Sequence, residues 1–67
     1  MIRFGVLGAG RIGKVHSRTI ASNPKAKLAY IADAVPAAAE ALAAEYGAKV
    51  ASVDDIMKAR DVDAVLI

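Results

Sequence analysis

A chain of 67 residues with 57% hydrophobic residues, many of them alanine, allows one small domain, which at this size withdraws only ~60% of its unfolded surface from water. Its net charge of +2 comes from scattered Lys and Arg that form no basic stripe, so nucleic acid is not an expected partner. The absence of cysteine excludes a disulfide framework or thiolate metal site, and no apolar run approaches the ~20 residues that span a bilayer, which points to a cytoplasmic protein with no membrane partner.

Met1 leads straight into a short apolar stretch, Ile2 to Leu7, that reads as a buried strand and not as a signal peptide. A helix follows the glycines, with an amphipathic run from Lys14 to Ala21, and ends near Ser22 where Asn23-Pro24 halts it. Lys27 to Asp33 is a second strand. Simple alternation puts Leu28, Tyr30 and Ala32 on one face and Ala29 and Ile31 on the other. Both faces are apolar, as a parallel strand covered on two sides requires.

Pro36 and Gly47 bracket a second helix. Within it Ala39, Leu42, Ala43 and Tyr46 form the apolar stripe, and Glu40 and Glu45 lie off it. Lys49 to Ala51 is a brief third strand. Ser52 is placed to cap a third helix, with Asp55 completing a capping-box pattern and Ile56 and Met57 on the buried side. Ala64 to Ile67 is a fourth strand. The alternation predicts an α/β fold, a Rossmann-type parallel sheet of strand order 3-2-1-4.

The run Gly8-Ala9-Gly10-Arg11-Ile12-Gly13 sits between the first strand and the first helix, and Asp33 lies 20 residues beyond Gly13. Strand, glycine turn, helix and a spaced acid together form the dinucleotide-binding fingerprint; the glycines alone would be a weak signal. Gly8 permits a sharp turn out of the strand, Gly10 leaves room for a pyrophosphate, and Gly13 lets the helix pack closely on the strand. The free N–H groups of Arg11 and Ile12 would point at the phosphates, with the helix dipole behind them.

Asp33 can accept hydrogen bonds from both hydroxyls of an adenosine ribose, and it can also help to start the next helix. A 2′-phosphate placed about 4 Å away would be repelled by it. The following Ala34, Val35 and Pro36 offer no cation, so NAD is favoured over NADP.

Other residues read more plainly. His16, the only histidine, falls between Ile12 and Ile20 on the apolar side of the first helix and has no ligand partner at metal spacing. It is expected to pack or cap. Arg11 can lie over the pyrophosphate or in solvent, and Tyr46 belongs to its helix stripe. Asp54, Asp55, Lys58, Arg60, Asp61 and Asp63 are mixed in sign and read as a solvated face.

Met1 to His16 closely resembles the opening of the glucose–fructose oxidoreductase/inositol dehydrogenase family. Ala32-Asp33 with the Pro-Ala-Ala-Ala helix, Glu45-Tyr46-Gly47, and Asp61 to Ile67 continue the likeness over the whole chain. Within the family, the likeness is greatest to the bacterial inositol dehydrogenase branch. The resemblance implies that Gly8, Gly10, Arg11, Ile12 and Gly13 hold the pyrophosphate of NAD and that Asp33 holds the adenosine ribose. It also implies reversible oxidation of a secondary alcohol on a cyclitol or sugar, myo-inositol foremost, by a homo-oligomeric enzyme.

The family's threonine-proline loop, Glu-Lys-Pro motif, Asp/His pair and substrate domain have no counterpart between Met1 and Ile67. Residues 1–67 are therefore expected to be the N-terminal part of an NAD-binding domain, with no catalytic residue of their own. A non-enzymatic NAD-binding sensor is the alternative. An isolated 67-residue polypeptide is expected to self-associate through the second sheet face and the edge of the fourth strand.

Overall fold

Seven elements alternate along residues 1–67, all of which the computed structural model describes. They are β1 (Ile2–Leu7), α1 (Arg11–Ser22), β2 (Ala26–Ala32), α2 (Pro36–Tyr46), β3 (Lys49–Val50), α3 (Val53–Lys58) and β4 (Ala64–Leu66). All strand pairs are parallel and the sheet order is β3-β2-β1-β4, the Rossmann-type arrangement expected.

The element ends carry the punctuation read from the sequence. Pro36 opens α2, and Gly47 closes it in the left-handed conformation at φ 70°. Ser52 Oγ accepts the N–H of Asp55 at 3.1 Å. The returning bond from Asp55 that would complete a capping box is not formed. No helix is long and apolar enough to cross a membrane.

Two helices cover one sheet face. Val6, Leu28 and Ile31 join Ala9, Ile20, Ala39, Leu42 and Ala43 in one buried cluster, with Phe4 and Tyr46 packed against it. On the opposite face α3 contributes Ile56, only 1% exposed. A Cβ on Gly5 would stand 2.6 Å from Ile56 Cγ2, so the bare backbone of β1 is what lets α3 approach. This division follows from right-handed crossovers on either side of β1.

The face assignment of β2 needs correction. Phe4 pairs with Leu28, but Gly5 pairs with Tyr30, leaving Ala29 as an extra residue. The bulge shifts the alternation by one. Leu28 and Ile31 therefore share the α1–α2 core instead of lying on opposite faces. Tyr30 aligns with Gly5, and its hydroxyl donates to Asp61 at 2.8 Å.

The buried line of α1 also differs from the expected Ile12–His16–Ile20. It consists of Gly13, Ser17 and Ile20. Gly13 must face the sheet, because its missing side chain is what permits close approach. Ile12, a residue earlier, is turned outward and is 62% exposed. His16 is half-buried and makes no side-chain hydrogen bond. Ser17 Oγ is fully buried without a partner, an energetic cost inside an otherwise apolar contact.

Two further expectations change. Met57 is 65% exposed, because the short α3 turns only Ile56 toward the sheet. Asp61 and Asp63 are exposed but are not merely solvated. Asp63 accepts the backbone N–H of Arg3 at 2.8 Å and its side-chain Nε at 3.1 Å. Arg3 also accepts the N–H of Asp63 through its own carbonyl at 2.7 Å. Asp63 thus ties the start of β4 to β1. These bonds to Arg3, the side-chain one foremost, hold the Asp63 carboxyl below its usual range.

Candidate functional site

β1 ends where Gly8 takes φ 108°, a conformation that favours glycine. Its N–H still donates to the carbonyl of Ala32 at 2.7 Å, so the turn leaves the sheet while anchored to β2. Gly10 caps α1 without any side-chain bond, and its carbonyl accepts the N–H of Lys14 at 2.9 Å.

The N–H groups of Arg11 and Ile12 open the helix and take no partner within the fold. Nothing lies within 4 Å of the position a Cβ on Gly10 would occupy. An open backbone with unpaired donors at a helix start is an anion cradle.

Gly13 has the opposite surroundings. A Cβ there would overlap the carbonyl oxygen of Gly8 and stand 2.7 Å from its carbon. Helix and turn are in backbone contact at this point. One glycine of the motif keeps space free and another removes it.

Asp33 follows the end of β2 and reaches across to the turn. Its Oδ2 accepts the N–H of Ala9 at 2.9 Å, and its Oδ1 accepts the N–H of Val35 at 3.3 Å. The Ala9 bond first, then the Val35 bond, hold the carboxyl below the usual carboxylate range against an opposing effect of burial. Asp33 is therefore ionised at neutral pH. It meets Val35, the residue before the first helical position, in a local turn, but no side chain caps the first N–H groups of α2 itself.

Gly8, Gly10, Arg11, Ile12, Gly13 and Asp33 all gather at the C-terminal ends of β1 and β2, where open α/β sheets bind ligands. A cleft beside them is lined by Leu7, Ala32, Asp33, Ala34, Ser52 and Val53. Ser52 was read from the sequence only as a helix cap and Val53 was not singled out; neither was placed at the site. Their signal was positional, since they follow the C-terminal end of β3 in the same sheet. Arg11 is exposed, and Tyr46 packs at the rim of the core as its stripe position implies.

The fold and the glycine turn at the C-terminal ends of its strands are those of a dinucleotide-binding Rossmann domain. The chain belongs to the oxidoreductase family with an NAD-binding Rossmann fold, whose family model matches residues 2–67.

It is 56% identical over 66 residues to an inositol 2-dehydrogenase of Rhizobium meliloti, covering 98% of this chain and 20% of that one. A myo-inositol dehydrogenase of Lactobacillus casei, solved with NAD(H) and myo-inositol, superposes with a TM-score of 0.90 at 28% identity. That match covers 97% of this chain and 20% of the other. A 3-ketoreductase of Actinomadura kijaniata, solved with NADP, superposes at 0.85 with 26% identity, covering 96% of this chain and 21% of that one. The chain thus spans about a fifth of the length of these relatives. The fold carries either nicotinamide cofactor, so local chemistry must decide between them.

Proposed function

We propose that residues 1–67 form the N-terminal part of the NAD-binding domain of a longer dehydrogenase that oxidises a secondary alcohol of a cyclitol or sugar, myo-inositol foremost. The 56% identity to an inositol 2-dehydrogenase carries the substrate class. In this reading the backbone of Gly8, Gly10, Arg11, Ile12 and Gly13 receives the pyrophosphate, and Asp33 accepts the two adenosine ribose hydroxyls. The bound nicotinamide would take the hydride.

Asp33 also selects the cofactor. Its ionised carboxylate stands where a 2′-phosphate would come, and Ala34, Val35 and Pro36 supply no cation to offset the repulsion. Residues 1–67 bind and orient the cofactor. The proton-handling groups and the substrate domain belong to the rest of the proposed enzyme, a cytoplasmic homo-oligomer in this reading. Mixing the full-length protein with NAD and a panel of cyclitols and sugars should raise absorbance at 340 nm, most strongly with myo-inositol. Absence of turnover on every polyol would discard the dehydrogenase in favour of a binding-only sensor.

A further inference from the structure

We infer that Asp33 is a positioning residue for the glycine turn, holding the phosphate-facing backbone in shape through Ala9 before any ligand arrives. This rests on the NAD reading for its ligand but on the hydrogen bonds of the unliganded chain for its substance.

Two bonds anchor the ends of the turn, from Gly8 N–H to Ala32 and from Lys14 N–H to Gly10. Between them Ala9 is flanked by two glycines whose Cβ positions have no neighbour within 4 Å, so no packing restrains those glycines on that side. Ala9 itself is 2% exposed, and its N–H makes one bond, to Asp33 Oδ2. Asp33 is in turn oriented by the N–H of Val35 on its other oxygen. The carboxylate therefore links the turn after β1 to the turn after β2.

The link leaves the ribose function intact. An ionised carboxylate offers about four lone-pair sites. The two backbone donors use one on each oxygen, and one on each remains for a ribose hydroxyl. Recognition of the ribose and the shape of the phosphate cradle are then one unit. Losing Asp33 must weaken even a ligand that has no ribose hydroxyls.

That consequence separates the inference from simple ribose recognition. The probe is 2′,3′-dideoxyadenosine 5′-diphosphate, titrated into the full-length protein beside ordinary ADP. In Asp33→Ala the dideoxy probe should bind about tenfold more weakly than in wild type, the scale of one lost charge-assisted hydrogen bond. Asp33→Asn keeps an oxygen for the Ala9 N–H and should restore much of the dideoxy binding, while the preference for ADP over the dideoxy probe stays reduced.

Amide hydrogen exchange without ligand gives a second readout. The Ala9 N–H should be protected in wild type and in Asp33→Asn, and should exchange faster in Asp33→Ala. Equal or tighter dideoxy binding by Asp33→Ala, or unchanged Ala9 protection in that variant, overturns the inference. If wild type bound neither ADP nor NAD, the cofactor reading would fail instead, and the exchange measurement would still decide the brace.

Discussion

Gly13→Ala should destabilise the full-length protein by at least ~3 kcal/mol, at or beyond the upper end of ordinary overpacking costs. The added methyl would overlap the carbonyl oxygen of Gly8 and stand 2.7 Å from its carbon. Both obstacles are backbone, so no side-chain rotation relieves them. Either α1 moves off the sheet, losing the packing of Ile20, or the Gly8 turn deforms and its bond to Ala32 is lost. NAD binding should fall with the stability. Thermal and denaturant unfolding measure the first effect, and a variant as stable as wild type would show that the close approach of helix and turn is wrong.

Gly10→Val should do the reverse. Gly10 has φ −74° and ψ −160°, a negative-φ extended backbone that does not demand glycine, and its Cβ direction is empty to 4 Å. Stability should therefore change by no more than about 0.5 kcal/mol. The valine side chain would occupy the space in front of the unpaired N–H groups, where the phosphates are proposed to sit. NAD affinity should drop about 100-fold or more, equivalent to ~2.7 kcal/mol. A folded Gly10→Val protein that binds NAD normally would remove the glycine turn from the site. The two variants lie three positions apart in one motif, yet one should report on folding and the other on binding.

Much of this was legible in the sequence because it is written locally. The glycine turn, Pro36, Gly47 and the Ser52 cap mark element ends through backbone chemistry that needs no partner strand. The spacing from Gly13 to Asp33 follows from one helix and one strand of ordinary length. What escaped depends on distant pairing.

The bulge at Ala29 exists only relative to β1. The need for glycine at position 5 arises from Ile56, which arrives much later in the chain. Asp63 looked like surface charge until the order β3-β2-β1-β4 brought it beside Arg3. That pair was recoverable in principle, since a parallel β1–β4 pairing aligns the starts of the two strands, each carrying one of these opposite charges. On α1, the apolar pattern suggested Ile12 for the buried side, but the requirement for Gly13 against Gly8 outranks it.

In the site, the structure brings the residues marked in the sequence together at one end of the sheet, but the contact between Asp33 and the glycine turn was not foreseen. The fingerprint marks Asp33 by its distance from the glycines, as a group that meets a ribose. Its bond to Ala9, 24 residues away, depends on how two separate turns converge, which spacing alone does not reveal, whereas its bond to Val35 is local.

A glycine turn beside an ionised Asp33 should favour NAD over NADP. Calorimetric titration of the wild-type full-length protein with NAD and then NADP tests it most directly. NAD should bind at least about tenfold more tightly, which corresponds to ~1.4 kcal/mol or more in its favour. Binding of NADP as tight as or tighter than that of NAD would contradict the account.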